Sequence, residues 1–429
     1  VRRIGQRLQQ RKAALAELVC LETGQTLVEA GREVQLAIHA CEHALAMAEQ
    51  WHGYTAPAEA GAQRLMEQWH PLGTIGIVTP FCQPLSNWAR HAMPALLCGN
   101  ALVWKPSEKA PLTAIAVQRL LEQLIADMND LVPAPIAQLT LGEAAAAQQL
   151  AEHPLIALLA ATGSSRMGHD LARRCAGRLG RHLLALSCNN AAIVAPSADL
   201  DLVMDEILPG AMHAAGQHCS APRRLIVHQT LLDPLCKRLQ DALRQLAIGD
   251  PRDRKHQIGP LIDGEAYWTM QQALQAAEQQ GGRCLAGGHR LELAGFDAAY
   301  YVQPALVSVP GNLPIVCQES FAPILYVMPY SELLDAIDLN NAVAQGHATT
   351  LFSDSLREAE WLLGAAGADT GVVNINHGIG WAEADCVSAC NKESGNGYSG
   401  GIVAWQNYMR RVVNTVSYGK VAPATGLAY

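Results

Sequence analysis

From residue 73 onward, the sequence alternates between short runs of apolar and β-branched residues and longer stretches with helical periodicity. The predicted strands are Thr74–Val78, Ala101–Trp104, Ile156–Leu159 and Ala191–Val194. The predicted helices between them include Thr113–Met128 and Gly168–Arg178. Parallel strands need crossover connections that are usually helices, so this alternation predicts an α/β fold with a mainly parallel sheet covered by helices.

The alternation resumes after residue 219 and predicts a second α/β unit. Its predicted elements are strands at Arg224–His228, Pro323–Val327 and Ala348–Phe352 and a helix at Leu231–Leu246. Residues 1–50 repeat apolar residues at helical spacing, which predicts amphipathic helix. Residues 53–70 and the tail from Tyr398 fit neither alternation, so we interpret them as an arm at the edge of the fold.

Composition excludes several classes of function. The net charge of the 429 residues is −8 and there is no Lys/Arg-rich run, which argues against a nucleic-acid partner. No apolar run approaches the roughly 20 residues that span a bilayer, so no membrane span is predicted. Twelve cysteines are scattered without a C-x-x-C pair, which is typical of reduced cytoplasmic thiols rather than of disulfides or a metal site.

Two segments have the character of an anion-binding or nucleotide-binding site. Lys105 ends a predicted strand, where its ammonium can reach a phosphate or a ribose hydroxyl, and Glu108 follows three residues later. In isolation, a solvated turn accounts for this pair better. Gly163 and Ser164 lie in a turn between a strand and a helix, where free N–H groups and the helix dipole favour an anion. This turn is not a G-x-G-x-x-G motif and is weak alone.

The third segment of interest is the turn Gly216-Gln217-His218-Cys219-Ser220-Ala221. A cysteine between small residues after a helix is a candidate nucleophile, although free cysteines are more often buried and inert. The segment Glu319-Ser320-Phe321-Ala322-Pro323 begins 100 residues after this cysteine.

Together these segments resemble the aldehyde dehydrogenase superfamily. The resemblance implies that Cys219 is the thiol that attacks an aldehyde carbonyl, with NAD as the cofactor. It also implies that the cofactor is held by a set of six residues: Lys105, Glu108, Gly163, Ser164, Glu319 and Phe321.

Two catalytic positions of that superfamily hold different residues here. Cys82 stands where an Asn amide donates to the oxyanion, and loss of one such donor typically costs about 100- to 1,000-fold in rate. Ala185 stands where a Glu activates the deacylating water, a contribution of about 100- to 10,000-fold. Ser187 and Cys188 replace two glycines, so their side chains are expected to crowd the nicotinamide ring.

Within the superfamily, the chain is most similar to the antiquitin branch, the α-aminoadipic semialdehyde dehydrogenases. The tail motif Trp405-Gln406-Asn407-Tyr408-Met409-Arg410-Arg411 is among the segments that carry this similarity. Two departures from the branch affect the substrate. His218 replaces the Arg that holds the substrate carboxylate in this branch, and the Gly-rich loop is altered to Trp381-Ala382-Glu383-Ala384-Asp385-Cys386.

The resemblance predicts three regions: a dinucleotide-binding domain at residues 1–186 with an oligomerisation arm at 53–70, a catalytic cysteine domain at 187–397, and an oligomerisation tail at 398–429. A homodimer or tetramer is expected, and the expected substrate is a small aldehyde. Three functions are compatible with the residues: an impaired NAD-dependent oxidoreductase, an inactive homologue that acts as a scaffold or partner subunit, and a thioester former that passes its acyl group to a thiol such as coenzyme A.

Overall fold

The predicted strands lie in two sheets, and the strand predicted at Ala191–Val194 belongs to the second sheet rather than the first. The computed structural model describes residues 1–58, 62–128, 132, 135–379, 388–396, 398–399 and 401–419. Its α-helices are α1 (Arg2–Gln10), α2 (Lys12–Thr23), α3 (Leu27–Ala48), α4 (Ser86–Leu97), α5 (Pro111–Asp127), α6 (Ala144–Glu152), α7 (Ser165–Gly177), α8 (Leu200–Met212), α9 (Gln229–Gln245), α10 (Gly264–Gln279), α11 (Leu333–Asn341) and α12 (Leu356–Leu363).

The strands are short, as expected for a sheet whose faces are covered by helices. They are β1 (Tyr54–Pro57), β2 (Gln63–Pro71), β3 (Thr74–Val78), β4 (Ala101–Lys105), β5 (Ala137–Leu139), β6 (Ile156–Thr162), β7 (Arg181–Ala185), β8 (Asn190–Val194), β9 (Pro222–His228), β10 (Arg283–Ala286), β11 (Arg290–Leu291), β12 (Tyr301–Val302), β13 (Ala305–Ser308), β14 (Ile324–Tyr330), β15 (Gln345–Gly346), β16 (Ala348–Phe352), β17 (Val372–Ile375), β18 (Ser388–Ala389), β19 (Asn391–Lys392), β20 (Gly395–Asn396), β21 (Tyr398–Ser399) and β22 (Met409–Ser417).

The first sheet has six strands in the order β20-β7-β6-β3-β4-β5. All are parallel except β20, which pairs antiparallel with β7 and places Gly395 opposite Ala185. Because β4 and β6 flank β3, the residues at their carboxyl ends, Lys105 and Thr162, lie at the same edge of the sheet. Such an edge is where open parallel sheets bind ligands.

The second sheet has seven strands in the order β10-β13-β14-β9-β8-β16-β17, and only β10 is antiparallel. The chain passes from the first sheet to the second between Ala185 and Asn190. The largest buried apolar cluster packs around this sheet and includes Ile193, Leu225 and Phe352. Strand β8 lies inside the sheet, between β9 and β16, and its first residue therefore lies near the segments that precede those two strands.

The N-terminal segment, predicted as helix over residues 1–50, is divided into three helices. Gly24 ends α2 in a left-handed conformation with φ 77°, which glycine adopts at little cost. Thr26 and Glu29 then form a capping box that starts α3.

The two segments that fit neither alternation pair with each other. Strands β1, β2 and β22 form an antiparallel sheet, with Gln63 opposite Ser417 and Pro71 opposite Met409. Val413 is 69% exposed on the edge strand β22. Among the described residues, no helix is long and apolar enough to cross a membrane.

Candidate active site

The backbone just before Cys219 is strained. A short 3-10 segment, His213–Gly216, follows α8, and within it Ala214 and Ala215 are left-handed with φ of 51° and 54°. Gly216 continues in this region at φ 71°. Such conformations cost about 1–3 kcal/mol each for non-glycine residues and persist only where surrounding contacts enforce them. The turn therefore depends on the residues that pack around it.

Gly216 lies directly against the second predicted motif. A Cβ atom at this position would lie 2.6 Å from backbone atoms of Ala322 and Pro323. Only glycine allows so close an approach together with a positive φ. The Cys219 turn and the segment that contains Phe321 are therefore in direct backbone contact.

Glu29 stabilises the turn from the side of α3. Its carboxylate accepts a hydrogen bond from the N–H of Ala214 at 2.9 Å and lies 3.2 Å from Nδ1 of His213. Burial alone would raise the pKa of Glu29, but hydrogen bonds from His213, Ala214 and Thr26 outweigh burial and hold the pKa below its usual value.

Arg223 contacts both the Cys219 turn and the segment that contains Phe321. Its guanidinium donates to the carbonyl of Ala322 at 2.9 Å and to the carbonyl of His218 at 3.1 Å. It also lies 3.9 Å from the Glu319 carboxylate and 5.6 Å from the centre of the Phe321 ring. Since Arg223 is buried, these contacts are the compensation for its desolvated charge.

Asn190, the first residue of β8, connects the turn to the interior of the second sheet. Its amide donates to the carbonyls of Cys219 and Ala221, at 3.0 and 3.3 Å. Its carbonyl oxygen accepts from the N–H of Ala348 at 3.1 Å. These hydrogen bonds hold the starts of β8, β9 and β16 in place relative to one another.

Cys219 is partly buried as a residue, and three other thiols lie close enough for its charge to affect their pKa values. Burial raises the pKa of Cys219, and the charge of Arg90 opposes that effect. The pKa values of Cys82, Cys188 and Cys390 are also raised, first by burial and next by the charge of a Cys219 thiolate. A thiolate at Cys219 thus keeps its neighbours protonated.

Cys82, the residue at the predicted oxyanion position, lies close enough to Cys219 for the charge of its thiolate to raise the pKa of Cys82. Its side chain is buried, and the turn places Phe81 edge-on to Phe321, with ring centres 5.8 Å apart. The next amide along α4, that of Asn87, donates to the Cys82 carbonyl at 3.1 Å and so is not free to replace the missing Asn. Thiols are weak donors, so the backbone N–H of Cys219 is the stronger oxyanion donor that remains.

Ala185 ends β7, where its carbonyl accepts from the N–H of Gly163 at 3.1 Å. Its methyl group offers no proton acceptor. The predicted base position is thus part of a regular strand, paired with Gly395, and has no carboxylate of its own.

Ser187 and Cys188 fill space beside the predicted cofactor residues. The Ser187 hydroxyl accepts from the N–H of Ser165 at 3.0 Å, at the first residue of α7. The N–H of Cys188 donates to Glu319 at 3.3 Å. Burial raises the pKa of Glu319, while Arg223 and the hydrogen bonds from Ser187 and Cys188 partly offset this. The hydrogen bond of Ser187 depends on a side chain that glycine lacks, whereas a glycine at position 188 would supply the same N–H.

On the predicted adenosine side of the cofactor site, Lys105 and Glu108 pair with each other. The buried ammonium of Lys105 lies 2.9 Å from the half-exposed carboxylate of Glu108. Burial would raise the pKa of Glu108, but hydrogen bonds from its own backbone and from Lys105 lower it. Ser164 caps α7 by accepting from the N–H of Met167 at 3.2 Å.

His218 lies in the turn, directly before Cys219, and its surroundings disfavour the charged form of its ring. Burial lowers its pKa well below 6.5, with His213 and Arg223 adding to the effect. Its Nδ1 accepts from the N–H of Ser220 at 3.1 Å, and its ring lies edge-on to His213 at 4.7 Å. A neutral imidazole at this position cannot replace the carboxylate-binding Arg of the antiquitin branch.

The structure thus brings Cys219, Cys82, Glu319 and Phe321 together, and it places the Lys105 and Ser164 groups at one edge of the first sheet. Sequence reasoning missed the supporting residues, which are Glu29, Asn190 and Arg223. One signal was available for Arg223: two consecutive arginines, Arg223-Arg224, inside an otherwise apolar strand indicate buried charges with structural partners.

The altered loop Trp381–Cys386 lies outside the described residues. Within the part of the chain that the structure describes, no group of three or more His, Cys, Asp or Glu side chains is arranged to hold a metal ion.

Comparison with known proteins identifies the family. The sequence profile of the aldehyde dehydrogenase family matches residues 1–413. The chain belongs to the aldehyde dehydrogenase family. It is 36% identical over 431 residues to the rat α-aminoadipic semialdehyde dehydrogenase, covering 100% of this chain and 79% of that protein. It is 33% identical over 423 residues to the Arabidopsis thaliana aldehyde dehydrogenase family 7 member B4, covering 99% and 82%.

Solved aldehyde dehydrogenases share the fold. Lactaldehyde dehydrogenase from Escherichia coli superimposes with a TM-score of 0.90 at 26% identity, covering 97% of this chain and 85% of that one. Betaine aldehyde dehydrogenase from Staphylococcus aureus in complex with NAD⁺ gives a TM-score of 0.91 at 25% identity, covering 96% and 81%. The predicted aldehyde dehydrogenase fold and the similarity to the α-aminoadipic semialdehyde dehydrogenases are confirmed.

Proposed function

We propose that the protein is an NAD-dependent aldehyde dehydrogenase that forms an acyl-enzyme on Cys219 and hydrolyses it slowly. The observation that carries the proposal is the strained turn before Cys219, which is held by Glu29, Asn190 and Arg223. Strained backbone that surrounding contacts over-determine is typical of functional sites.

The residues present fit a dinucleotide on its adenosine side. Lys105 and Glu108 supply a cation and a carboxylate for ribose and phosphate oxygens. The hydroxyl of Ser165, at the start of α7, is buried and has no hydrogen-bond partner among the described residues, so a ligand oxygen would satisfy it. On the nicotinamide side, Glu319 must exchange its bond to Cys188 for one to the ribose.

Cys219 supplies the nucleophile that attacks the aldehyde carbon. Arg90 favours the thiolate, which is the reactive form. The developing oxyanion is stabilised by the Cys219 N–H, with a weaker contribution from Cys82. When NAD⁺ is bound, it accepts the hydride. Water must then attack the thioester without a carboxylate at position 185, so deacylation is the slow step.

Stopped-flow measurement of NADH tests this proposal. A burst close to one NADH per Cys219, followed by a slow steady state, is the expected result. A single slow phase without a burst would place the defect in acylation. Acceleration of the steady state by coenzyme A would favour acyl transfer to a thiol.

The second candidate is a non-catalytic homologue that acts as a scaffold or partner subunit. The bonds that Glu319 makes with Cys188 and Arg223 favour it, because they compete with the nicotinamide ribose. Complete absence of NADH with every aldehyde, together with intact folding, would support this alternative.

We also propose a homo-oligomer assembled through the arm. Strand β22 is an edge strand, and unpaired edges with apolar side chains tend to pair with another chain. Val413 and Val416 are exposed on it, and Leu65 is exposed on the neighbouring β2.

A further inference from the structure

Helix α3 carries two carboxylates on one face, and each binds backbone N–H groups of a different loop. Glu29 and Glu33 are one helical turn apart, so their side chains lie one above the other along the helix. Glu29 accepts from the N–H of Ala214, in the strained turn before the nucleophile, at 2.9 Å. Glu33 accepts from the N–H groups of Leu85 and Ser86, at 2.8 and 2.7 Å. One helix therefore binds both the nucleophile turn and the start of α4.

Glu33 supplies the cap that α4 lacks. The N-cap residue of α4, Leu85, makes no capping hydrogen bond with its side chain. The first N–H groups of a helix have no partner within the helix, so the Glu33 carboxylate takes that part from outside. Glu33 is buried, and its second oxygen, Oε2, has no hydrogen-bond partner among the described residues. A buried carboxyl group held by one oxygen fixes the start of α4 against α3.

The turn that α4 continues is the predicted oxyanion turn, residues 80–84. Within it Gln83 is left-handed, with φ 57°, a conformation that persists in a non-glycine residue only where surrounding contacts enforce it. Asn87, in the first turn of α4, donates its amide to the carbonyl of Cys82 at 3.1 Å and its N–H to the carbonyl of Gln83 at 3.3 Å. The position of the start of α4 therefore determines the position of Cys82.

The two turns also meet through a third segment. The ring of Phe81 lies edge-on to the ring of Phe321 at 5.8 Å, and Gly216 lies directly against the backbone of Ala322 and Pro323. The oxyanion turn and the nucleophile turn are thus held between α3 on one side and the Phe321 segment on the other. Two independent sets of contacts fix their relative position.

We propose that Glu33 is a positioning residue of the aldehyde site: together with Glu29, it keeps the oxyanion turn aligned with the nucleophile turn, even though the side chain at position 82 is the weak donor Cys82. This inference rests on the proposed function, in which Cys219 becomes acylated. The alternative is a helix cap that stabilises the fold and has no effect on the oxyanion.

Acylation of Cys219 by p-nitrophenyl acetate separates these two roles without NAD⁺. The thiolate attacks the acetyl carbon, the acetyl group becomes bound to sulfur, and p-nitrophenolate leaves with the electron pair of the broken ester bond. This reaction forms a tetrahedral oxyanion, whereas alkylation by iodoacetamide does not. Both rates are measured at Cys219 by peptide mapping. Their ratio reports on oxyanion stabilisation, because a change in thiolate fraction affects both reagents.

The ratio is measured for the parent and for Cys82→Asn, each alone and combined with Glu33→Met, Glu33→Gln or the control Glu42→Met. Methionine removes the acceptor, whereas glutamine keeps a carbonyl oxygen in its place. Glu42 lies on the same helix and is exposed.

With Glu33 intact, Cys82→Asn is expected to raise the ratio of acylation to alkylation about 100-fold, the usual worth of one oxyanion donor. In combination with Glu33→Met, the gain is expected to shrink to less than about tenfold, because the new amide is no longer held in place. Glu33→Gln and Glu42→Met are expected to keep the full gain. A cap that only stabilises the fold would lower the melting temperature in Glu33→Met and leave the gain unchanged.

An equal gain from Cys82→Asn with Glu33 and with Glu33→Met would overturn the proposal. Absence of any gain with Glu33 intact would overturn it as well, because the turn would then not face the oxyanion. If Glu33→Met does not fold, Glu33→Asp, whose shorter side chain draws the carboxylate away from α4, replaces it in the same comparison. If the acylation rates behave as expected but no protein forms NADH from an aldehyde, the proposed function fails and the positioning role of Glu33 stands.

Discussion

The hydroxyl of Ser187 accepts a hydrogen bond from the N–H of Ser165 at 3.0 Å. This N–H belongs to the first residue of α7, where free N–H groups would otherwise face a phosphate. Part of the anion site is therefore occupied by the protein's own side chain, and cofactor binding must compete with it.

Replacing Ser187 by glycine is expected to tighten NAD⁺ binding about 3- to 10-fold, because the ligand no longer displaces a neutral hydrogen bond. Calorimetry with NAD⁺ and NADP⁺ measures the effect. Ser331→Gly, on an exposed loop, is the matched control. Absence of heat and of any thermal shift with either nucleotide at millimolar concentration would refute the cofactor site itself.

Restoring both lost polar groups is expected to restore turnover. Ala185→Glu supplies a base for deacylation, and Cys82→Asn supplies an oxyanion donor. Each change repairs a different step, so their effects are non-additive and the slower step conceals the other. NADH production from aliphatic semialdehydes by the parent, the single variants and the double variant measures this. If the double variant folds and binds NAD⁺ but forms no NADH, the cause of the inactivity is the Ser187-Cys188 segment or the loss of the substrate site.

Cys219 is expected to react with limiting iodoacetamide before Cys236 and Cys317. Cys219 is less buried as a residue than Cys236 and Arg90 favours its thiolate, whereas burial raises the pKa of Cys236 to about 11. Peptide mapping after brief labelling gives the order. Earlier labelling of Cys236 or Cys317 would mean that the site is closed and would favour the scaffold function.

A Val413→Arg substitution on β22 is expected to dissociate the oligomer. The side chain is 69% exposed on the edge strand, where an added charge opposes pairing with another chain. Light scattering at micromolar concentration gives the mass, and Leu179→Arg, at a 95% exposed position outside the arm, is the control. A monomeric parent protein would contradict the proposed assembly.

As the pH rises from about 4.5 to 7, ionisation of Glu33 is expected to lower the free energy of unfolding. Burial raises its pKa from 4.5 to about 7, while hydrogen bonds from Ser86 and Leu85 act in the opposite direction. The folded state holds the proton more tightly than the unfolded state, so its stabilisation is complete below pH 4.5 and is lost as the pH rises through 7. Urea titrations of the parent and Glu33→Gln across this range test the prediction. An identical pH dependence in both proteins would exclude Glu33 as its source.

The sequence predicted well those features that depend on neighbouring residues. The strand Thr74–Val78 has the predicted bounds because it is a short apolar run that follows a glycine. The strand Ala191–Val194 was also predicted, but its membership of the second sheet depends on pairing with β9 and β16, which lie further along the chain.

The supporting residues of the site could not be predicted for the same reason. Glu29 caps its own helix, which is a local signal, but its bond to Ala214 spans 185 positions. Domain boundaries and the roles of the cofactor residues remain predictions that ligand binding must test.

None of the bonds that hold the Cys219 turn passes through the side chains of Cys82 or Ala185; they run through Glu29, Asn190 and Arg223. Architecture and rate are therefore controlled by separate sets of residues. Proteins with this arrangement can lose or regain activity through substitutions at these two positions without unfolding. A melting curve would therefore not distinguish the active members from the inactive ones.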